Sequence, residues 1–379
     1  LDDFADDDAR VERLAWRDIH LDPIDLPTAK LQLTLGLGSG LSRRPGDAPG
    51  RVYAVTDRGP NLFISQAIDD YGLTHLETLR GIRDAKIMPL PEIGPEIVEL
   101  QVEGSSVSFV RRIPLHATSG ARLHGAAPDG DDMEPLFDLS GQPLQPDPMG
   151  ADTEAIAVMP DGSFFLAEEY GPSLLRADAN GAVVGRWVVP GAERVMQQAG
   201  MEVRGVLPEL AGQRRMNRGL EALCASPDGC WLYLGLQSGP SGADPGTTPI
   251  WKLDTASGEL AGQWAYPFDA PASFLRDAAR RKVGPGDPKV CEFAWAGEDR
   301  LVVLERIAHT TKLYLTDLSR LPEKRLLMSS DDHTDIGPDM EGMTILSPTE
   351  ILLVSDNDFG VGRAETEFWR VSLDEPLLG

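Results

Sequence analysis

The chain has 379 residues, 41% of them apolar and 25% charged, with a formal charge of −25 and a pI near 4.6. Nucleic acid is excluded as an expected partner, because phosphate backbones are bound by basic surface. An odd set of three cysteines excludes a disulfide framework, and no apolar run approaches the roughly 18 residues of a membrane-spanning helix.

In chain order, the first expected element is a short helix over residues 2–14, followed by a strand at 30–35. The first residue is Leu1 rather than Met, so a leader already removed is the expectation. Residues 38–61, GSGLSRRPGDAPGRVYAVTDRGPN, read as strand, turn and strand. The stretch 62–150 is less regular. Its acidic loop PDGDDME at 128–134 lacks the spacing of an EF-hand and is read as solvated.

The plan of 38–61 then recurs. DTEAIAVMPDGSFFLAEEYGP occupies 152–172, and two more strands follow around the turn DANG. After a helix expected at 193–200 comes NRGLEALCASPDGCWLYLGLQSGP at 217–240, again followed by two strands, PIWKLDTASGELAGQWAYP. A helix is expected at 272–281. CEFAWAGEDRLVVLERIAHTTK at 291–312 and EGMTILSPTEILLVSDNDFG at 341–360 complete the series. Pro-Asp-Gly turns at 160–162 and 227–229 supply chain reversals. Cys224 and Cys230 flank the second of these and fall on opposite faces, so no bond between them is expected.

The second strands (FFLA, LYLG, LVVL, ILLVS, VYAV) are apolar at successive positions, as in strands buried on both faces. Four-stranded meanders of roughly 40–50 residues stacked face to face are the plan of a β-propeller. The fold class is therefore all-β, a single propeller domain over 1–379, with residues 1–35 a segment able to close the last blade. Six blades is the preferred count, the sixth drawn from 62–150 and the strand at 30–35, with five and seven as alternatives. A doubly wound α/β fold would need longer helices between strands.

In such a blade the residue before the first strand and the residue after the second lie at the same end. Glu341 therefore meets Asp356, Glu154 meets Glu168 and Glu169, Glu221 meets Gln237, and Glu292 meets Glu305. Asp57 and Arg58 end the second strand of the first unit. Clustered carboxylates must share protons or bind cations, and an all-oxygen set suits Ca²⁺, Mg²⁺ or Mn²⁺. The expected ligands are Glu154, Glu168, Glu221, Glu305, Glu341 and Asp356, with Ca²⁺ preferred. Which of two adjacent acids faces the channel is left open, since neighbours on a strand point oppositely. His309 follows a second strand and is a channel-facing candidate. Neither a zinc motif nor a nucleophile elbow or P-loop is present.

The ordered set DTEAIAVMPDGSFFLAEEYGP, NRGLEALCASPDG, LVVLERIAHTTKLYL and DMEGMTILSPTEILLVSDNDFG resembles the phytase-like family described as "esterase-like activity of phytase". The resemblance spans about residues 35–371 and implies a propeller hydrolase, often exported, so a periplasmic or secreted protein is the expectation. Positions matching the family are Asp57, Arg58, Glu154, Glu168, Glu169, Arg218, Glu221, Gln237, Glu305, Arg306, Glu341, Asp356 and Asn357. Alanine follows Glu154 and Glu221 where glycine is commoner, and the third unit ends in Gln237 rather than an acid.

The expected function is a metal-dependent phosphoesterase acting on a small molecule. Asp57, Arg58, Arg218 and Arg306 would bind substrate, and Glu169 with His309 would be the catalytic pair. The alternatives are a non-catalytic propeller that binds a ligand or partner around a structural cation, and a lactone or carboxyl-ester hydrolase.

Overall fold

The repeated units fold into antiparallel meanders, because each Pro/Asp/Gly turn reverses a strand of mostly β-branched, leucine and aromatic residues. The computed structural model describes residues 9–130, 133–197 and 200–377. Blade 1 runs Gly40–Ser42, Arg51–Val55, Glu96–Glu103 and Ser106–Pro114 from the inside outward. Blade 2 runs Thr153–Val158, Phe164–Glu168, Ser173–Ala177 and Ala182–Val188. His116–Ala117 and Glu202–Gly205 add to its outer strand in parallel. Blade 3 is Leu220–Ala225, Trp231–Leu236, Thr247–Asp254 and Leu260–Pro267. Blade 4 is Lys289–Gly297, Arg300–Arg306, Thr311–Asp317 and Lys324–Ser329. Blade 5 takes Met340–Ser347, Glu350–Ser355 and Phe368–Ser372, and its outer strand is Arg10–Leu14 from the start of the chain.

The five inner strands form a closed ring, each touching the next, with that of blade 5 against that of blade 1. An apolar core fills every gap between consecutive blades. Leu166 and Ile156 face Ile97 and Val55 across one gap, and Leu304 and Val302 face Met343 and Leu353 across another. Equivalent cores join blades 2 and 3, 3 and 4, and 5 and 1. Strands lying between two such cores are buried on both faces, which accounts for their unbroken apolar runs.

The all-β propeller reading holds, but among the described residues the blade count is five, not the preferred six. Residues 62–150 complete blade 1 with its two outer strands and otherwise make a cap. The cap's strands Leu62–Phe63, Lys86–Ile87 and Leu136–Phe137 have two residues each, too short to fill a wedge of the ring. Its own small core gathers Leu62, Ile64, Ile68, Leu76, Ile87 and Phe137.

The expected helices largely fail. Residues 10–14 form a strand, with Arg10 opposite Ser372 and Leu14 opposite Phe368, and residues 2–8 lie outside the described residues. Residues 193–197 form turns between Gly191 and Gly200, and 198–199 also lie outside. Of 272–281 only Leu275–Ala278 is α-helical. Segments this short do not offset the cost of helix nucleation. Strand 30–35 is regular only at Lys30–Leu31, where it pairs with Ile24–Asp25.

Candidate active site

The site begins with a repeated irregularity. In blades 2 to 5 the inner strand shifts register at its first turn of pairing, between Thr153 and Ala155, Leu220 and Ala222, Val290 and Glu292, and Met340 and Gly342. The extra residues are Glu154, Glu221, Cys291 and Glu341. A bulge re-aims the side chain it adds. Glu154, Glu221 and Glu341 come from blades 2, 3 and 5, yet each offers an oxygen within 4.8 Å of the others. They therefore meet on the channel axis.

The second strands supply another set at the same end. Two residues beyond the pairing position Val55, Ala167, Gly235, Leu304 or Val354 stand Asp57, Glu169, Gln237, Arg306 and Asp356. Glu169 joins Asp152 and Glu154 in a second trio within 4.8 Å. Its Oε1 accepts the Gly219 N–H at 3.2 Å. Asp152 accepts the Arg58 N–H at 3.1 Å and pairs with its guanidinium at 3.1 Å.

Burial and mutual repulsion dominate the electrostatics. Burial first, then Asp152, pushes Asp57 up to about 8. Glu154 is raised well above the usual carboxylate range by burial and by Asp152, Glu221 and Glu169. Glu169 and Asp356 are likewise raised, by burial and then by Glu221 and Asp358 respectively. Glu221 rises only to about 7, because Lys289, Arg306 and Arg218 oppose its burial.

Those three cations form the other half of the mouth. Lys289 stands directly opposite Arg306 in the blade 4 ladder. Burial, with Arg306 and Arg218 beside it, brings the Lys289 ammonium down to about 8. Arg306 donates to Cys291 Sγ at 3.2 Å and pairs with Asp339 at 2.8 Å and with Glu341. Carboxylates from blades 1, 2, 3 and 5 thus face a basic set from blades 3 and 4.

The residues present fit a bound cation. Glu221 Oε2 and Gln237 Oε1 are buried with no hydrogen-bond partner among the described residues. An unpaired buried acceptor costs about 1–3 kcal/mol, and an oxygen-binding ion would satisfy both. Glu154, 8% exposed, lies in both carboxylate trios. The buried acidic clusters could therefore hold a metal ion.

The structure places the expected residues unevenly. Glu154, Glu221, Glu341 and Glu169 come together as ligand candidates, and Asp356 lies beside Asp57 and Asp358. Glu168 and Glu305 do not join them. Glu168 points between strands, where it accepts from Ser173 at 2.9 Å and pairs with fully buried Arg186 at 3.1 Å. Glu305 pairs with Lys324 at 2.7 Å and accepts from Tyr266 at 2.9 Å. Strand alternation decides both adjacent pairs in favour of the later residue, Glu169 and Arg306.

Arg58 is held in ion pairs with Glu134 and Asp152 and lies over the Tyr170 ring. Glu134 closes the loop read as solvated, yet it is 8% exposed; Asp131 and Asp132 lie outside the described residues. Arg218 is half-buried, with Nη1 lacking a partner among the described residues. His309 sits in the turn after the second strand of blade 4, where its N–H donates to Asp277 at 3.1 Å. Among the described residues, no hydrogen bond or ion pair joins its ring to the cluster. Asn357 bonds the backbone at Leu35 and Leu37 and so ties the chain start to blade 5.

Sequence reasoning missed Asp152 and Lys289. Both lie two residues before the bulge position, as do Gly219 and Asp339, so aligning the repeats on the bulge exposes them. It also misplaced Glu292, which lies one layer deeper. At that register the other blades carry Gly40, Ala155, Ala222 and Gly342. Glu292, fully buried, crosses the space they leave and accepts N–H bonds from Leu41 at 3.0 Å, Phe293 at 3.1 Å and Leu223 at 3.4 Å. A Cβ on Gly40 would sit 2.8 Å from the Ala155 backbone, too close for any larger residue.

No curated protein matches the chain by sequence. Many solved structures align with it, three of them as follows. Virginiamycin B lyase from Staphylococcus aureus shows 13% identity over 96% of this chain and 99% of that one, at a TM-score of 0.37. The allergen Mala s 1 of Malassezia sympodialis shows 11% over 90% and 78%, at 0.38. The aldose sugar dehydrogenase of Streptomyces coelicolor shows 10% over 97% and 99%, at 0.36. At these scores the alignments carry no argument about activity. The family model described as "Phytase-like: Esterase-like activity of phytase" matches residues 34–359, a span that holds every carboxylate and cation of the mouth, and the chain belongs to that family.

Proposed function

We propose that the protein is a metal-dependent hydrolase of phosphate esters, acting at the carboxylate-lined mouth of the channel. The observation that carries this reading is the division of the mouth into buried carboxylates with unpartnered oxygens and a basic set of Arg218, Lys289 and Arg306. Asp152, Glu154, Glu221 and Glu341 would hold the ion, with Ca²⁺ preferred to Mg²⁺ or Mn²⁺ for an irregular all-oxygen site. When bound, such an ion polarises a phosphoryl oxygen and acidifies a water. Arg218 and Lys289 take the remaining phosphoryl oxygens. Arg58 and Arg306, both committed to carboxylates, position Asp152 and Glu341. Glu169, beside Asp152 and Glu154, serves as general base. A location outside the cytoplasm, where calcium is plentiful, suits the same reading.

Metal content and a substrate panel test it. Protein stripped with chelator and reloaded with each ion is assayed on p-nitrophenyl phosphate, bis-p-nitrophenyl phosphate and p-nitrophenyl butyrate. Metal-dependent release from either phosphate supports the reading. Release only from butyrate replaces it with carboxyl-ester hydrolysis. Bound metal with no turnover supports a second reading, a structural cation, which the deep burial of Glu154, Glu221 and Glu341 favours.

A further inference from the structure

The channel has a second mouth, at the far ends of the same inner strands. There a cavity of about 380 Å³ is bounded by residues of all five blades, among them Leu41, Val158, Leu223, Phe293 and Ile345. Glu292 separates it from the carboxylate site, since the N–H groups it binds belong to Leu41, Leu223 and Phe293 of the cavity wall. The walls are mixed, with Leu41, Val158, Phe293 and Trp295 beside Ser42, Thr344 and Ser347. The volume is that of a small-molecule site.

Charge sets this mouth apart. The chain carries −25 overall, yet the charged residues bounding the cavity are Arg43 and Arg44, with no acid among its described lining. Arg43 is fixed by donating to the Ile345 carbonyl at 3.2 Å and to that of Leu346. Its Nε is buried without a partner among the described residues. Arg44 donates to the Pro160 carbonyl at 3.2 Å, and its 4.0 Å pair with Asp47 is long. A pocket with apolar side chains, an anchored guanidinium and a second arginine, and no acid among its described lining, suits an amphipathic molecule with one anionic group.

We infer that this second mouth binds a small amphipathic monoanion, of the class of a medium-chain carboxylate, independently of the chemistry at the carboxylate mouth. The test is isothermal titration of the full chain with octanoate, octanol and octylamine, followed by the Trp295-containing fluorescence. Octanoate should bind at least tenfold more tightly than the other two. Arg43→Met should lower octanoate affinity about tenfold, to the level of octanol. Ala225→Trp, which fills the cavity from its rim, should abolish octanoate binding while the thermal melt confirms folding. Metal-dependent turnover and metal content should be unchanged by either variant. Equal binding of octanol or octylamine, or octanoate binding that survives Ala225→Trp, overturns the inference. Failure here leaves the carboxylate mouth untouched, because its readouts are separate.

Discussion

Two glutamates at the same end of paired strands in blade 2 show how residue position decides role. Glu154 lies in both carboxylate trios, whereas Glu168 is sealed against Arg186. Their amide variants should therefore separate cleanly. Glu154→Gln removes a buried like charge, so the metal-free protein should melt higher, while metal affinity falls by more than about tenfold. Glu168→Gln leaves the Arg186 guanidinium buried and unpaired, at a cost of about 3–5 kcal/mol, with metal stoichiometry retained. Calorimetric melts with and without metal check both. Lys289→Met should weaken inhibition by inorganic phosphate several-fold and leave metal binding intact, measured as the inhibition constant in the same assay. The carboxylates at matching positions were legible in the sequence because the repeat marks them. Which member of each adjacent pair faces the axis was not, since neighbours on a strand point oppositely and strands apolar on both faces do not mark which face looks to the axis. Lys289 and Asp152 stayed hidden because they lie outside the strands that the apolar pattern defines.

At the level of elements, strand composition and turn chemistry gave the meanders, since successive apolar residues are the mark of strands between two cores. They could not give the blade count. The stretch 62–150 is long enough for a blade, but its two long strands complete blade 1, and the remaining strands, two residues each, serve a cap. The outer strand of blade 5 was misread as helix because it is one short segment whose partner lies more than 350 residues away. Its weight is testable. Leu14 is buried in the core between blades 5 and 1, beside Phe368. Leu14→Ala should cost about 2–5 kcal/mol, seen as a lower denaturant midpoint. A chain starting after Leu14 leaves Phe368–Ser372 as an open edge and should associate on a sizing column.

The whole molecule couples folding, protons and metal through one ring of buried acids. Asp57 is raised to about 8 and Glu221 to about 7, and Glu154, Glu169 and Asp356 are raised in the same direction. In an unfolded chain these groups titrate near 4. Between those limits the folded state holds more protons than the unfolded state, so this ring's contribution to stability is greatest below about pH 4 and declines as pH rises through 7 to 8. A bound cation replaces those protons and pays their repulsion back. The gain in melting temperature on adding Ca²⁺ should therefore grow from pH 5 to pH 8 and level off above it, while the chelated protein loses stability over the same range. Melts in chelator and in excess Ca²⁺ at unit pH steps measure both curves. A metal-induced gain that stays constant across that window would mean that the ion binds elsewhere than this ring.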